Sequence, residues 1–338
     1  MNGKKISVKD IAEMCNVSVA TVSRVINQNG RFSQETEEKV KKVIEKYNFK
    51  PNQLAKGLRE NKTKAVGIMV PDIGNEYFAK IILSLQTFLF SKGYSLVIYN
   101  TNESAEIEKQ CVSYLVAQNV SGIIIVNSKT SVFKQLNKDI PTIYIDEYDR
   151  YTDVGNVAWL SSDHFQGGYL AAQELIDCKC RDLVVITALK ESTVTKIRTN
   201  GFVAACEERG ISLQKERIFS PSKVDFNEGK TIVKRIIGSG MHFDGIFCQT
   251  DWLAAGALEA LLDKGIQVPD QVSLVGFDGI SISQFGRMPI TTIVQDTALI
   301  GKKAAKLVLR MIEEQKKTKK QHILVPINLV RRKTTRKK

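Results

Sequence analysis

Metal and redox chemistry are the first things this sequence leaves unprovided. Its six cysteines (Cys15, Cys111, Cys178, Cys180, Cys206 and Cys248) are scattered over 338 residues, with a single CxC pair and no CxxC. The histidines His164, His242 and His322 lie equally far apart. Neither set has metal-ligand spacing, so reduced core cysteines in a cytoplasmic protein and no metal are expected. Long apolar runs are missing too. GIIIV at 122–126 has the length of a buried strand, so no membrane association is expected. The opening MNGKKISVKD lacks the apolar core of a signal peptide. Phosphate-binding and nucleophile motifs are also absent. No GxGxxG follows a strand, neither GxxxxGK(S/T) nor GxSxG occurs, and GSG at 238–240 ends a helix instead of opening one. No catalytic residue and no cofactor is expected.

Charge, by contrast, is plentiful and unevenly spread. The net charge is +13, but residues 1–62 carry 13 Lys/Arg against 7 Asp/Glu, and 302–338 carry 14 against 2. Between them 22 basic residues face 27 acidic ones. A basic head on an acidic body suits a polyanion partner, because each Lys or Arg placed on a phosphate releases counterions. The basic end, with KKTKK at 316–320 and RRKTTRKK at 331–338, reads as a solvated charged terminus or a nonspecific aid to DNA affinity.

The head explains that charge. In KDIAEMCNVSVATVSRVIN, Val8, Ile11, Ala12 and Cys15 recur at i, i+3, i+4 and i+7, one face of a first helix. Ser7 can cap it, with Asp10 three residues on completing a capping box. Ser18 can cap a second helix whose Val22, Val25 and Ile26 turn back onto the first. That leaves Val19, Ala20, Ser23, Arg24 and Asn27 outward. Two short helices, the second presenting a polar stripe with an arginine, form a helix-turn-helix for a DNA major groove. The plain alternative is an αα-hairpin in any small helical domain. A third helix, capped by Ser33 and buried along Val40, Val43, Ile44 and Tyr47, should stop at Phe49–Lys50, ahead of Pro51. PNQLAKGLRENKT at 51–63 has few apolar points and reads as a weakly helical linker.

From Lys64 strand-like and helix-like runs alternate. Strands are expected over 64–72, 94–101, 121–128, 141–147, 156–163, 181–188, 244–250 and 272–279. Helices are expected over 77–92, 103–118, 196–209, 226–237 and 251–264. Continuous apolar strands mark parallel sheets covered on both faces, so the core should hold two doubly wound α/β subdomains. Asp72, Asp146, Asp163, Asp251 and Asp278 fall at strand ends, where acceptors suit sugar hydroxyls as well as they suit acid/base catalysis. Arg198 is the complementary donor, and Tyr77, Phe78 and Trp252 offer flat apolar surface to a pyranose.

These residues also carry a family resemblance. VKDIAEMCNVSVATVSRVIN (8–27), PNQLAKGL (51–58), VGIMVPDIGNEYF (66–78), IRTNGF (197–202), QTDWLAAGALEAL (249–261), VPDQVSLVGFDG (268–279) and TTIVQD (291–296) occur in order. Together they resemble the LacI/GalR family of bacterial transcriptional regulators over nearly the full length. NQNGRFS and SSDHFQGGYLAAQELI look most like sucrose-operon repressors of Gram-positive bacteria.

The resemblance implies a helix-turn-helix domain over 1–50 and a hinge over 51–63. It implies a periplasmic-binding-protein-like core, one half 64–162 with 292–324 and the other 163–291 with 325–330, before a basic tail 331–338. The chain would cross between halves near Asp163, near Thr291 and around Val325–Leu329. It implies a cytoplasmic homodimer, nucleoid-associated when it holds double-stranded operator DNA, and responsive to a sugar or sugar phosphate. Val19, Ala20 and Arg24 match base-reading positions. Ser7, Ser18, Thr21, Ser23 and Asn27 are placed for phosphates. In the hinge, Leu58 matches the leucine that wedges into the minor groove, with Ala55 beside it and Lys56 where arginine is frequent. Tyr77, Phe78, Asp146, Arg198, Thr250, Asp251, Asp278 and Gln295 match effector contacts. Two departures stand out. Glu76–Tyr77 replaces the usual Pro-Phe, and Val224 stands where an aromatic ring often stacks on the ligand. The expected mechanism is induction. Co-repression of the purine or catabolite-control type, or a sugar-binding module without a DNA role, are the alternatives.

Overall fold

A computed structural model describes residues 6–49, 63–128, 139–147, 156–189, 192–314 and 321–336. The chain divides into two compact units, residues 1–63 and 64–338.

The first unit is three helices: α1 (Val8–Cys15), α2 (Val19–Asn27) and α3 (Gln34–Lys46). Each begins where a serine hydroxyl accepts a backbone N–H three residues on: Ser7 from Asp10, Ser18 from Thr21, Ser33 from Thr36. The Asp10 carboxylate in turn accepts from Ser7 N at 2.7 Å, closing the capping box. Asn16 ends α1 in the left-handed region (φ 54°) and turns the chain into α2. Ile11, Ala12, Cys15, Val22, Val25 and Val40 close a small core. Two expectations for α3 need correction. It ends at Lys46, because Asn48 takes a positive φ of 47° and reverses the chain before any proline effect. Tyr47, expected in the buried stripe, is 44% exposed, and Phe49 packs on the head core instead.

The second unit holds two sheets of six strands. The first is built from β1 (Ala65–Val70), β2 (Ser95–Asn100), β3 (Gly122–Val126), β4 (Thr142–Ile145), β5 (Val157–Ser162) and β11 (His322–Val325), in the order β11-β5-β4-β3-β1-β2. All its pairs are parallel. Helices α4 (Glu76–Ser91), α5 (Ala105–Ala117) and α10 (Thr297–Glu314) cover it.

The second sheet holds β6 (Leu183–Ile186), β7 (Ile218–Phe219), β8 (Gly245–Cys248), β9 (Ser273–Asp278), β10 (Thr291–Gln295) and β12 (Ile327–Val330), in the order β12-β10-β9-β8-β6-β7. Only its β10–β12 pair is antiparallel. Helices α6 (His164–Asp177), α7 (Thr193–Glu207), α8 (Phe226–Gly238) and α9 (Asp251–Asp263) flank it. Strands β3, β4, β6 and β8 are buried along their whole length, as covered parallel strands must be.

Two corrections to the core follow. The second crossing lies after Gln295, not near Thr291, because TTIVQ pairs in register with β9 and β12 of the second sheet. The third falls at the single residue between β11 and β12. The expected solvated tail is instead docked on the second half as far as residue 336. Thr334 Oγ1 donates to Leu274 O at 2.7 Å, Arg331 Nε to buried Glu174 at 2.8 Å, and Arg336 to the carbonyls of Pro269 and Cys178. Arg336 here satisfies carbonyls at the C-terminal end of α6 and in the loop before β9.

Candidate functional site

Each half of the core is a doubly wound sheet, and such sheets present their chemistry just past the carboxyl ends of their strands. Asp146 directly follows β4, Asp278 ends β9 and Gln295 ends β10. His164 stands two residues past β5, at the start of α6, and Arg198 lies in the second turn of α7. The close approach of α6 and α7 brings the last two together. A Cβ on Gly168 would sit 1.9 Å from Arg198 O, and one on Gly201 2.0 Å from Phe165 O. Only glycine allows the helices to cross this tightly.

The result is a closed ring of polar side chains, all at least nine-tenths buried. Tyr77 donates to Asp146 Oδ2 at 2.5 Å, with Gln295 Oε1 3.2 Å away. Gln295 Nε2 donates to Asp278 Oδ1 at 2.9 Å. Arg198 Nη2 lies 3.7 Å from that same oxygen, while its Nη1 donates to Gln249 O at 2.6 Å. Arg198 Nε donates to His164 Nδ1 at 3.3 Å, and His164 Nε2 meets Asp146 Oδ1 at 2.9 Å. The guanidinium also stacks on Phe277, 3.6 Å from the ring centre.

Arg198 fixes the histidine's tautomer: Nδ1 accepts, so Nε2 carries the proton toward Asp146. Burial holds His164 below its ordinary pKa, so the ring is neutral at physiological pH. Burial by itself would raise Asp146, but His164, the Tyr77 hydroxyl and Arg198 more than offset it and hold this carboxylate below its usual range. Asp278 goes the other way. Burial foremost, with nearby carboxylates adding, pushes it up to about 8 despite Arg198. The ring therefore combines one cation, one carboxylate and one neutral acid, a mixture of donors and acceptors suited to hydroxyl groups. Two further hydroxyls, Ser162 Oγ and Thr195 Oγ1, are buried with no hydrogen-bond partner among the described residues.

Of the eight expected effector residues, Tyr77, Asp146, Arg198, Asp278 and Gln295 thus converge. Phe78 is half-buried beside them, edge-on to Tyr77 at 5.3 Å and packed on the core of the first half. The other two do structural work. Thr250 caps α9 by accepting from Leu253 N. Asp251 is fully buried and spends its oxygens on Gly279 N, Ile280 N and Thr292 Oγ1 at 2.6–2.9 Å. Burial raises Asp251 to about 6. Asp163 caps α6, and Asp72 accepts from Gly74 N. Trp252 packs against the first half's core and Val224 against the second's, so both serve packing. His164 is the residue sequence reasoning missed. Its signal was there: it closely follows a continuous apolar run, where a doubly wound sheet places ligand-facing groups.

In the head, Ala20, Arg24, Asn27, Ser7 and Ser18 are exposed and Thr21 and Ser23 partly so, but Val19, expected to face outward, packs against the head core because it lies one turn ahead of Val22 on α2. Gly30 (φ 89°) lets the Arg24 stem lie against the loop, where an added Cβ would meet Arg24 Cδ at 3.2 Å. Ala55, Lys56 and Leu58 lie outside the described residues.

A helix-turn-helix head followed by two doubly wound halves around a polar cleft is the architecture of a ligand-responsive transcriptional regulator. Residues 7–52 match the family "Bacterial regulatory proteins, lacI family", and 172–335 match "Periplasmic binding protein-like domain". The chain is 31% identical over 322 residues to the HTH-type transcriptional repressor PurR of Histophilus somni (strain 129Pt), covering 92% of this chain and 93% of that protein. PurR of Haemophilus influenzae (strain PittEE) is 31% identical over 326 residues, 95% of each chain. The lac repressor dimer bound to operator and the anti-inducer ONPF aligns with a TM-score of 0.89 at 25% identity, covering 98% of this chain and 99% of that one. A transcriptional regulator CelR–cellobiose complex shares the fold, with a TM-score of 0.74 at 22% identity over 97% of this chain and 99% of that one. The chain belongs to the lacI family of bacterial regulatory proteins.

Proposed function

We propose that this regulator represses a carbohydrate-utilisation operon from the cytoplasm. In this reading two chains pair as a homodimer, their heads hold double-stranded operator DNA, and a sugar or sugar phosphate bound between the halves of each core releases it. The ligand is bound and not turned over. The observation that carries the reading is the buried ring of Tyr77, Asp146, His164, Arg198, Asp278 and Gln295, drawn from strand ends and the first two turns of helices in both halves. Such convergent polar groups in a concave interior recognise hydroxyls. Dimer contact falls on α4, whose Leu83 and Phe90 remain 65% and 77% exposed, an apolar stripe that asks for a partner.

On DNA, Arg24 would donate a bidentate pair to a guanine, and Val19 and Ala20 would pack on thymine methyls. Ser7, Ser18, Thr21, Ser23 and Asn27 would hold phosphates, while Ala55, Lys56 and Leu58 form the hinge in the minor groove. Linkage then makes the effect reciprocal: whatever factor the ligand takes from operator affinity, operator takes from ligand affinity.

A second reading, co-repression, is favoured by the PurR name shared by relatives at 31% identity. One experiment separates the two. Thermal unfolding against sucrose, fructose, ribose, their phosphates, hypoxanthine and guanine finds the ligand, since a hundredfold excess over Kd raises stability by about 2.7 kcal/mol. An operator titration with that ligand follows. Weaker operator binding with a sugar supports induction, and tighter binding with a purine replaces it with co-repression.

A further inference from the structure

We propose that Glu76 and Tyr77 form a latch that holds the two halves of the core together before any effector arrives. Glu76 opens α4 in the first half, and its carboxylate accepts from Ser281 N at 2.9 Å and Ser281 Oγ at 2.7 Å. Ser281 begins the 3-10 turn Ser281–Ser283 of the second half, so the carboxylate caps an N-terminus that belongs to the opposite half. Lys80, one helical turn along, holds the same carboxylate at 2.5 Å and keeps it aimed. Tyr77 adds a weaker tie, the one proton of its hydroxyl given mainly to Asp146 of its own half at 2.5 Å and shared with Gln295 Oε1 of the second sheet at 3.2 Å. Apolar contact crosses at the same place. Ile280 is buried within the core of the first half, with Ile282 and Trp252 packed beside it.

Neither polar tie is open to the Pro-Phe pair that the family pattern carries here, since proline has no carboxylate and phenylalanine no hydroxyl. This chain supplies for itself the crossing contacts that a ligand would otherwise provide. The closed core is then populated without ligand. A ligand that selects the closed core binds more tightly by the fraction already closed, and produces a smaller change when it does.

The test needs no effector, so it stands or falls apart from the sugar reading. All six native cysteines are buried, so spin labels can be placed at Gln110→Cys on α5 and Lys264→Cys after α9. Labelled chains are diluted with unlabelled ones, and the distance between the halves is read by pulsed dipolar spectroscopy on the ligand-free full-length protein. Wild type should show one dominant distance. Glu76→Ala should move about tenfold more weight to longer distances, as loss of charge-assisted hydrogen bonds predicts. Tyr77→Phe keeps the ring's packing and should open the core in the same sense. Ser281→Ala added to Glu76→Ala should open it no further. A distance distribution unchanged from wild type in Glu76→Ala overturns the latch, and one unchanged in Tyr77→Phe removes Tyr77 from it.

Discussion

The head and the core use polar side chains in opposite ways. In the head, Arg24 and Asn27 stand in solvent on a helix held by its buried opposite face, and Asn27 bonds locally, to Ser23 one turn back. In the core, Arg198, Asp146, Asp278 and His164 are buried and each depends on the others for its partner and its protonation. Recognition by an exposed side chain that caps nothing, such as Arg24, can therefore be altered without cost to the fold. Recognition by the ring cannot, because removing one member strands the rest.

The paired substitutions Arg198→Ala and Arg24→Ala put this contrast to its strongest test. Arg198→Ala leaves His164 and Asp146 without their cation and Gln249 O without its donor, and should cost about 3–5 kcal/mol in denaturant unfolding. Arg24→Ala should leave the same unfolding curve within about 0.5 kcal/mol, while cutting specific operator affinity by about 1–3 kcal/mol at fixed salt. Equal stability losses in both would erase the distinction.

The pH dependence sharpens it next. Asp278 is raised to about 8 in the folded chain, against an ordinary value of 3.8. A group raised on folding lends stability below its unfolded pKa and loses it as pH rises through the folded one. Between pH 6.5 and 8 the unfolded chain has released this proton and the folded chain keeps it, so stability should fall by about 2 kcal/mol across that window. Asp146, lowered, titrates on the acid side of it, and His164, lowered from 6.5, opposes the fall only at the acid edge of the window. Asp278→Asn should remove that fall between pH 6.5 and 8. A slope that survives the substitution assigns the proton elsewhere. No matching dependence is expected from the recognition helix, which bears no acidic residue in its first turn.

The same contrast governs what is legible in the sequence. Helix starts in the head rest on contacts three residues apart, Ser7 with Asp10 and Ser18 with Thr21, so local chemistry suffices to place them. Strand ends in the core are legible because apolar runs stop there, which is why Asp146 and Asp278 stand out, while Gln295, which converges with them, is picked out only by the family resemblance. What a strand-end carboxylate then does depends on what folds over it. Asp251 looks identical in sequence to Asp278, but Gly279, Ile280 and Thr292 arrive to consume its oxygens. His164 looks like an isolated histidine because its partners lie 18 and 34 residues away. The tail looks solvated because its charge is local, whereas Glu174 and Thr291, which receive it, are 157 and 41 residues distant.

In the loop behind the recognition helix, Gly30→Ala introduces a side chain at φ 89° and 3.2 Å from Arg24 Cδ. The backbone strain should destabilise the head by about 1–2 kcal/mol, and the displaced arginine should lose base selectivity more than nonspecific DNA binding. Near-equal losses on operator and random DNA would mean that Arg24 reads no base.

The smallest effect separates two roles that Ser18 is proposed to hold at once. Its hydroxyl caps α2 by accepting from Thr21 N at 3.0 Å, and it is exposed at the helix end expected to face a phosphate. Ser18→Ala removes both roles and should lower head stability by about 1 kcal/mol. Ser18→Asp keeps the first and inverts the second. Aspartate caps as well as serine and suits the positive end of the helix dipole, so stability should change by no more than a few tenths of a kcal/mol. Its charge, however, would face DNA phosphate, and affinity should drop on operator and random sequences alike, with a shallower salt dependence. A Ser18→Asp protein that binds DNA as wild type does would leave Ser18 a cap and nothing more. The head would then position itself on DNA through its remaining phosphate-facing groups.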